Sequence, residues 1–254
     1  MRTTWLKLVL AAASVLFTGS ALAGETRARQ ILDRFEHANQ WRDHVMVAAH
    51  RAGSLQARKT LFAENSIAAL EASIALGAEI VEVDVRRSKD GEFVVMHDSW
   101  LDRTTNCKGE VVKRTLAELK TCKLVIEGTG AVTDEPVSTL REMLMATRDR
   151  ILVNIDNKLD VDSLAGMIAV ARDLGMAEQV IVKENLWNPA RITTVKALAV
   201  FASLPRETYG FWAERGATII QTDEPKAAID WLAANGYRVP YSDEARPANT
   251  ASIN

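Results

Sequence analysis

Short apolar runs alternate along this chain with stretches of helical periodicity, and several of the runs end abruptly in ionisable residues. Val45–Ala49 leads into His50-Arg51, and Ile80–Val85 interleaves Glu82 and Asp84 with valines. Phe93–Met96 ends on His97-Asp98, and Ile151–Ile155 ends on Asp156-Asn157-Lys158. Runs of this length and composition predict buried strands. Val180–Val182 and Ala217–Thr222 predict two more. Between them the spacing predicts helices over Glu25–His44, Ser66–Leu76, Leu116–Leu124, Leu140–Arg148, Val161–Leu174 and Pro225–Asn235, with Gly77, Gly175 and Gly236 as stops. Lys89-Asp90-Gly91 marks a turn. Strands alternating with helices imply parallel β/α units.

The implied architecture is α/β, a TIM-type (β/α) barrel. It is short by one or two units. From Val180 to Thr218 the chain has room for little more than one βα repeat of about 30 residues. A full barrel needs about three repeats across that interval, and only Val195–Phe201 offers a further strand inside it.

The first residues read as a leader, not as part of the fold. Arg2 and Lys7 flank the apolar run Leu8–Phe17, and Ala21-Leu22-Ala23 offers a small-residue cleavage site. Residues 1–23 are therefore expected to be a signal peptide, 24–238 one domain and 239–254 a polar, fraying tail. The expected product is exported, periplasmic or secreted, with no stable membrane span. The formal net charge of −2 becomes more negative once Arg2 and Lys7 leave, which argues against nucleic acid and anionic membrane as partners.

The chain has two cysteines, Cys107 and Cys122. In an oxidising compartment the pair reads first as a disulfide, contributing about 3 kcal/mol on the chain-entropy model; two separate thiols are the alternative.

The chemistry gathers at strand ends. Residues two apart on a strand share a face, so Glu82 with Asp84, and Asp156 with Lys158, point into common space. Carboxylate oxygens are hard ligands that suit Mg²⁺ or Ca²⁺. The plainer reading makes Glu82 and Asp84 solvent-facing residues of an ordinary strand. His50 and His97 can take and give protons near neutral pH. Arg51 and Lys158 can bind phosphate oxygens. Glu64, by itself, does no more than suit a helix N-terminus.

As an ordered set, His50-Arg51, Glu64-Asn65-Ser66, Glu82-Val83-Asp84-Val85, Asp90-Gly91, His97-Asp98, Leu101, Arg103-Thr104-Thr105 and Gly109 resemble the glycerophosphodiester phosphodiesterase family. Thr222-Asp223-Glu224-Pro225 on the last strand extends the match. The resemblance implies a barrel that hydrolyses small-molecule glycerophosphodiesters to glycerol 3-phosphate and an alcohol. It implies His50 and His97 as acid and base, and a divalent cation on Glu82, Asp84 and Asp156. Arg51, Glu64 and Lys158 would then form the phosphate site. Ala52 stands where the family usually has Gly, Ala63 where it has Pro, and Asp156 where Glu is commoner. An Asp at that last position is similar to sphingomyelinase D-type phospholipases, which gives an alternative activity on lysophospholipids or sphingomyelin. A non-catalytic phosphodiester-binding protein with an incomplete barrel is the alternative outside the enzymes.

Overall fold

The computed structural model describes residues 25–241 except 42, 57–58, 161, 183–201, 204–212 and 214–217. In chain order the elements are α1 (Arg27–Glu36), β1 (Met46–Ala49), β2 (Leu55–Gln56), β3 (Lys59–Thr60), α2 (Ile67–Ala75), β4 (Ile80–Arg87) and β5 (Phe93–Val95). Then come α3 (Leu116–Leu119), β6 (Lys123–Ile126), β7 (Ala131–Pro136), α4 (Leu140–Thr147), β8 (Leu152–Asn157) and α5 (Asp162–Asp173). The last are β9 (Val180–Val182), β10 (Ala202–Ser203), β11 (Ile219–Thr222) and α6 (Pro225–Ala234).

Strands β10, β11, β1, β4, β8 and β9 pair in that order, every pair parallel. Their outward valines and isoleucines, among them Val81, Val83, Val153 and Ile155, meet Leu70 of α2, Leu140 and Leu144 of α4 and Met167 of α5. Helix α6 covers β1 and β11 through Ala228 and Leu232. Burial on both faces explains why these strands read as near-continuous apolar runs. This is the (β/α) barrel type. The expected strand within Val195–Phe201, and the place where repeats were expected to be missing, lie outside the described residues apart from β10.

The register stacks the inner side chains in levels. Met46 pairs with Ile219. One step up, Ala48, Ile80 and Leu152 share a level with Gln221 of β11, and α1 packs Ile31 against its apolar members. The next level holds Glu82 beside Asn154, and above it Asp84 lies beside Asp156. The interior thus turns from hydrocarbon to carboxylate within a single alternation of the strands.

Several expectations need correction. Phe93–Met96 is not a parallel member: β5 runs antiparallel to the outer end of β4, Val85 opposite Val95. The intervening turn through Gly91, at φ 93°, is too short for a crossover and permits only antiparallel pairing. The helix expected over Leu116–Leu124 stops at Leu119, behind a Thr115–Glu118 capping box, and Lys123–Ile126 is a strand. Its β-branched Val125 and Ile126 pair with β7 across the turn at Gly128 and Gly130. The lead-in helix ends at Glu36, since His37–Gln40 has no apolar residue but Ala38 and forms a 3₁₀ turn over Ala38–Gln40. The first residues of the expected tail are held in place: Arg34 donates to the carbonyls of Val239 and Pro240, and Tyr241 is buried under its guanidinium.

The segment between β5 and α4 forms its own small core over the barrel mouth, from Leu101, Val111, Leu119, Leu124 and Val137. Cys107 and Cys122 are disulfide-bonded there, with S–S 2.10 Å. Among the described residues no helix is long and apolar enough to cross a membrane.

Candidate active site

Chain reversal immediately after β1 sets the first wall of the site. Arg51 and Ala52 take φ values of 49° and 66°, and Gly53 follows at 85°. Left-handed geometry costs a residue with a side chain roughly 1 kcal/mol, which accounts for glycine as the family's usual choice where Ala52 stands. Gly53 has no alternative, because a Cβ there would meet Ser73 Oγ at 2.3 Å. The reversal turns the Arg51 amide onto Glu82 Oε2 at 2.9 Å and its guanidinium onto Glu64 Oε2 at 2.9 Å.

Glu82 and Asp84 are both fully buried, so they are not solvent-facing residues of an ordinary strand. Together with Asp156 they bring ligand oxygens within 4.8 Å of one another. Asp84 is bracketed by Asn65, whose Nδ2 donates to Oδ2 at 2.9 Å while its Oδ1 accepts the Asp84 amide at 3.2 Å. Asn65 reaches that position from φ 58°, a conformation asparagine tolerates. Lys158 Nζ spans the cluster, 2.6 Å from Asp156 Oδ2 and 3.0 Å from Asp84 Oδ1. Burial disfavours its charge, but these carboxylates outweigh that and raise its pKa.

Each candidate histidine is gripped at Nδ1 by a carboxylate. His50 meets Asp223 Oδ1 at 2.6 Å, and His97 meets Asp98 Oδ1 at 2.7 Å. Such a grip fixes ring orientation and leaves Nε2 for proton transfer. Burial opposes the His50 imidazolium; the Asp223 hydrogen bond and the nearby Glu82 charge override it and raise the pKa above 6.5. The same bond lowers the pKa of Asp223. The hairpin geometry of β5 folds His97 back along β4, where the Arg86 Nε donates to its carbonyl at 2.7 Å.

Arg103 joins the two halves. It donates to both oxygens of Asp98, at 2.7 and 2.9 Å, and to both of Glu64, at 3.0 and 2.7 Å. It also pairs with Glu127 of the β6–β7 turn at 3.0 Å. Hydrogen bonds from Arg103 hold Asp98 well below the usual carboxylate range. Glu64 is 5% exposed; burial pushes its pKa up, and Arg103 and Arg51 more than reverse that. Its carboxylate is thus committed to two arginines, and it orients the Arg51 guanidinium.

The structure brings Arg51 to Glu64 and Glu82, and Lys158 to Asp84 and Asp156. Sequence reasoning assigned no role to Asp98, Asp223, Arg103 or Asn65, although each sits in a quoted motif. Trp187 and Trp212 lie outside the described residues, while Trp231 stacks on Tyr237 beside α6 and β1.

Comparison with known proteins agrees with this geometry. A glycerophosphodiester phosphodiesterase of Caldanaerobacter subterraneus subsp. tengcongensis is 34% identical over 160 residues, 61% of this chain and 63% of that one. The chain spans less than two thirds of the length of the curated relatives it matches. A glycerophosphoryl diester phosphodiesterase structure from Parabacteroides distasonis superposes with a TM-score of 0.61 at 18% identity, covering 85% of this chain and 95% of that one. An Oleispira antarctica phosphodiesterase, solved with sn-glycerol-3-phosphate as product, gives a TM-score of 0.54 at 20% identity over 74% of this chain and 96% of that one. The profile of the glycerophosphoryl diester phosphodiesterase family matches residues 50–235, a span that runs from the first candidate histidine past the last strand, and the chain belongs to that family.

Proposed function

We propose that this chain hydrolyses glycerophosphodiesters to glycerol 3-phosphate and an alcohol. One observation carries the reading: two imidazoles, each fixed at Nδ1 by a carboxylate, stand in the same strand-end cluster as three converging carboxylates. That pairs proton donor and acceptor with a site for positive charge, the requirements of phosphodiester cleavage.

The donor set fits a hard divalent cation, Mg²⁺ or Ca²⁺, since Glu82, Asp84 and Asp156 offer oxygens alone within 4.8 Å. When bound, such an ion supplies Lewis-acid stabilisation of charge on the phosphoryl oxygens. The chain's own groups do the rest. Arg51, aimed by Glu64, and Lys158 bind the phosphate oxygens and favour the charge that builds in the transition state. One of His50 and His97 takes the proton from the attacking hydroxyl: water gives glycerol 3-phosphate directly, whereas the substrate's neighbouring OH gives a cyclic phosphate that water opens in a second step. The other protonates the departing alcohol oxygen. Asp223 and Asp98 hold the rings in position through both steps.

The leader-like pattern in residues 1–23 and the Cys107–Cys122 bond support export to the periplasm or the exterior. The reading is tested by following glycerophosphocholine with phosphorus NMR. Glycerol 3-phosphate as product supports it. An accumulating cyclic phosphate with no hydrolysis would place the chain with the phospholipase D-like relatives instead.

A further inference from the structure

Two buried asparagines stand near the carboxylate cluster, and their hydrogen bonding differs. Asn65 spends both ends of its amide on Asp84. Asn154 is 0% exposed, and neither its Oδ1 nor its Nδ2 has a hydrogen-bond partner among the described residues. A buried amide with both ends unused is costly, and in a native interior it calls for a reason.

The register supplies one. Asn154 lies directly opposite Glu82 on one side and Ile181 on the other. It is two residues from Asp156 on the same strand, hence on the same face. Ala48, Ile80 and Leu152 of the level below are apolar, and Gln221, which shares that level, makes no hydrogen bond to the Asn154 amide. The side chain therefore sits at the height of Glu82, one level below Asp84 and Asp156. Leucine or valine would fill that place without penalty if it were only core. An amide carbonyl is a neutral hard oxygen, and asparagine serves as such a donor in calcium sites.

We propose that Asn154 is a fourth oxygen donor of the cation site, set beside Glu82 and one level below Asp84 and Asp156. This rests on the cation reading given above. The neutral donor adds a ligand without adding to the repulsion among three carboxylates. The amide also carries a stability penalty that only the loaded site repays.

The test is calorimetric titration of Mg²⁺ and Ca²⁺ into the EDTA-treated, dialysed protein, with thermal melts of the ion-free form alongside. Asn154→Leu should weaken ion affinity about tenfold, while its ion-free melting temperature stays level or rises. Asn154→Asp should tighten binding severalfold, and it carries the test should the leucine variant fail to fold. Wild-type affinity, within twofold, in the folded variants would overturn the proposal while leaving the three-carboxylate site standing. A wild-type protein that binds neither ion would overturn both.

Discussion

The His50 imidazole and the Asp223 carboxylate, 173 residues apart in the chain, meet at 2.6 Å across the seam between β1 and β11. The pairing of Ala49 with Thr222 places the next residue of each strand side by side, so sheet register itself builds the dyad. Asp223→Asn keeps the shape but loses the charge that favours the imidazolium. The His50 pKa, now raised above 6.5, should fall, moving its limb of the pH–rate profile to lower pH and cutting kcat/KM by about 10²-fold. The sign follows for stability too: the pair stabilises the fold fully between pH 3.8 and 6.5, and less as pH rises through the raised His50 pKa or falls through the lowered Asp223 pKa. The variant should lose that dependence in pH-resolved melts.

Arg103 ties the barrel-side carboxylate Glu64 to the insertion-side carboxylate Asp98. Arg103→Lys replaces a planar fork with a point charge and can serve only part of this geometry. It should lower stability by about 2 kcal/mol and kcat by at least tenfold, since both Arg51 and His97 lose an indirect support. Arg103→Ala should do worse. A denaturant titration and steady-state rates on the same preparations check both.

Much of this site was legible from strand-end residues, because a strand's alternation alone puts Glu82 with Asp84 and Asp156 with Lys158. What escaped sequence reading required three-dimensional facts. His97 and Asp98 are consecutive, and on a continuing strand they would face opposite ways; the strand ends at Val95, which frees them to meet. Asp223 finds His50 only through the pairing of the first strand with the last. The Lys123–Ile126 strand was hidden by the helical spacing of Leu116, Leu119 and Leu124. Its partner β7, which has no fully buried residue, gave little periodic signal.

At the opposite end of the barrel, buried Glu79 accepts the Val47 amide at 2.9 Å and binds His44 and Arg238. Burial pushes its pKa up, but Arg238 and His44 more than offset this and bring it to about 2. A lowered carboxylate contributes stability in full above pH 4.5 and loses it as pH falls toward 2. Melting temperature should therefore drop across that window. Glu79→Gln should flatten the drop and cost about 3 kcal/mol at neutral pH by leaving Arg238 uncompensated.

The Cys107–Cys122 bond closes a 15-residue separation inside the insertion that carries Arg103. Reduction, or the double serine variant, should cost about 3 kcal/mol of stability. Activity should fall at temperatures where the barrel remains folded, because the insertion loosens first. Melts and rates with and without a phosphine reductant check this. Equal activity in both states would mean that the insertion's own core suffices.

Cation-dependent hydrolysis by the cluster at β1, β4, β8 and β11 ties these predictions together. Its most direct test is glycerol 3-phosphate release from glycerophosphocholine by the purified chain, before EDTA, after EDTA, and after Mg²⁺ or Ca²⁺ is restored. Turnover should be abolished by EDTA and restored by one of the ions, with His50→Ala and His97→Ala each down by at least about 10³-fold in a folded protein. Turnover indifferent to EDTA, or unaffected by loss of either histidine, would contradict it.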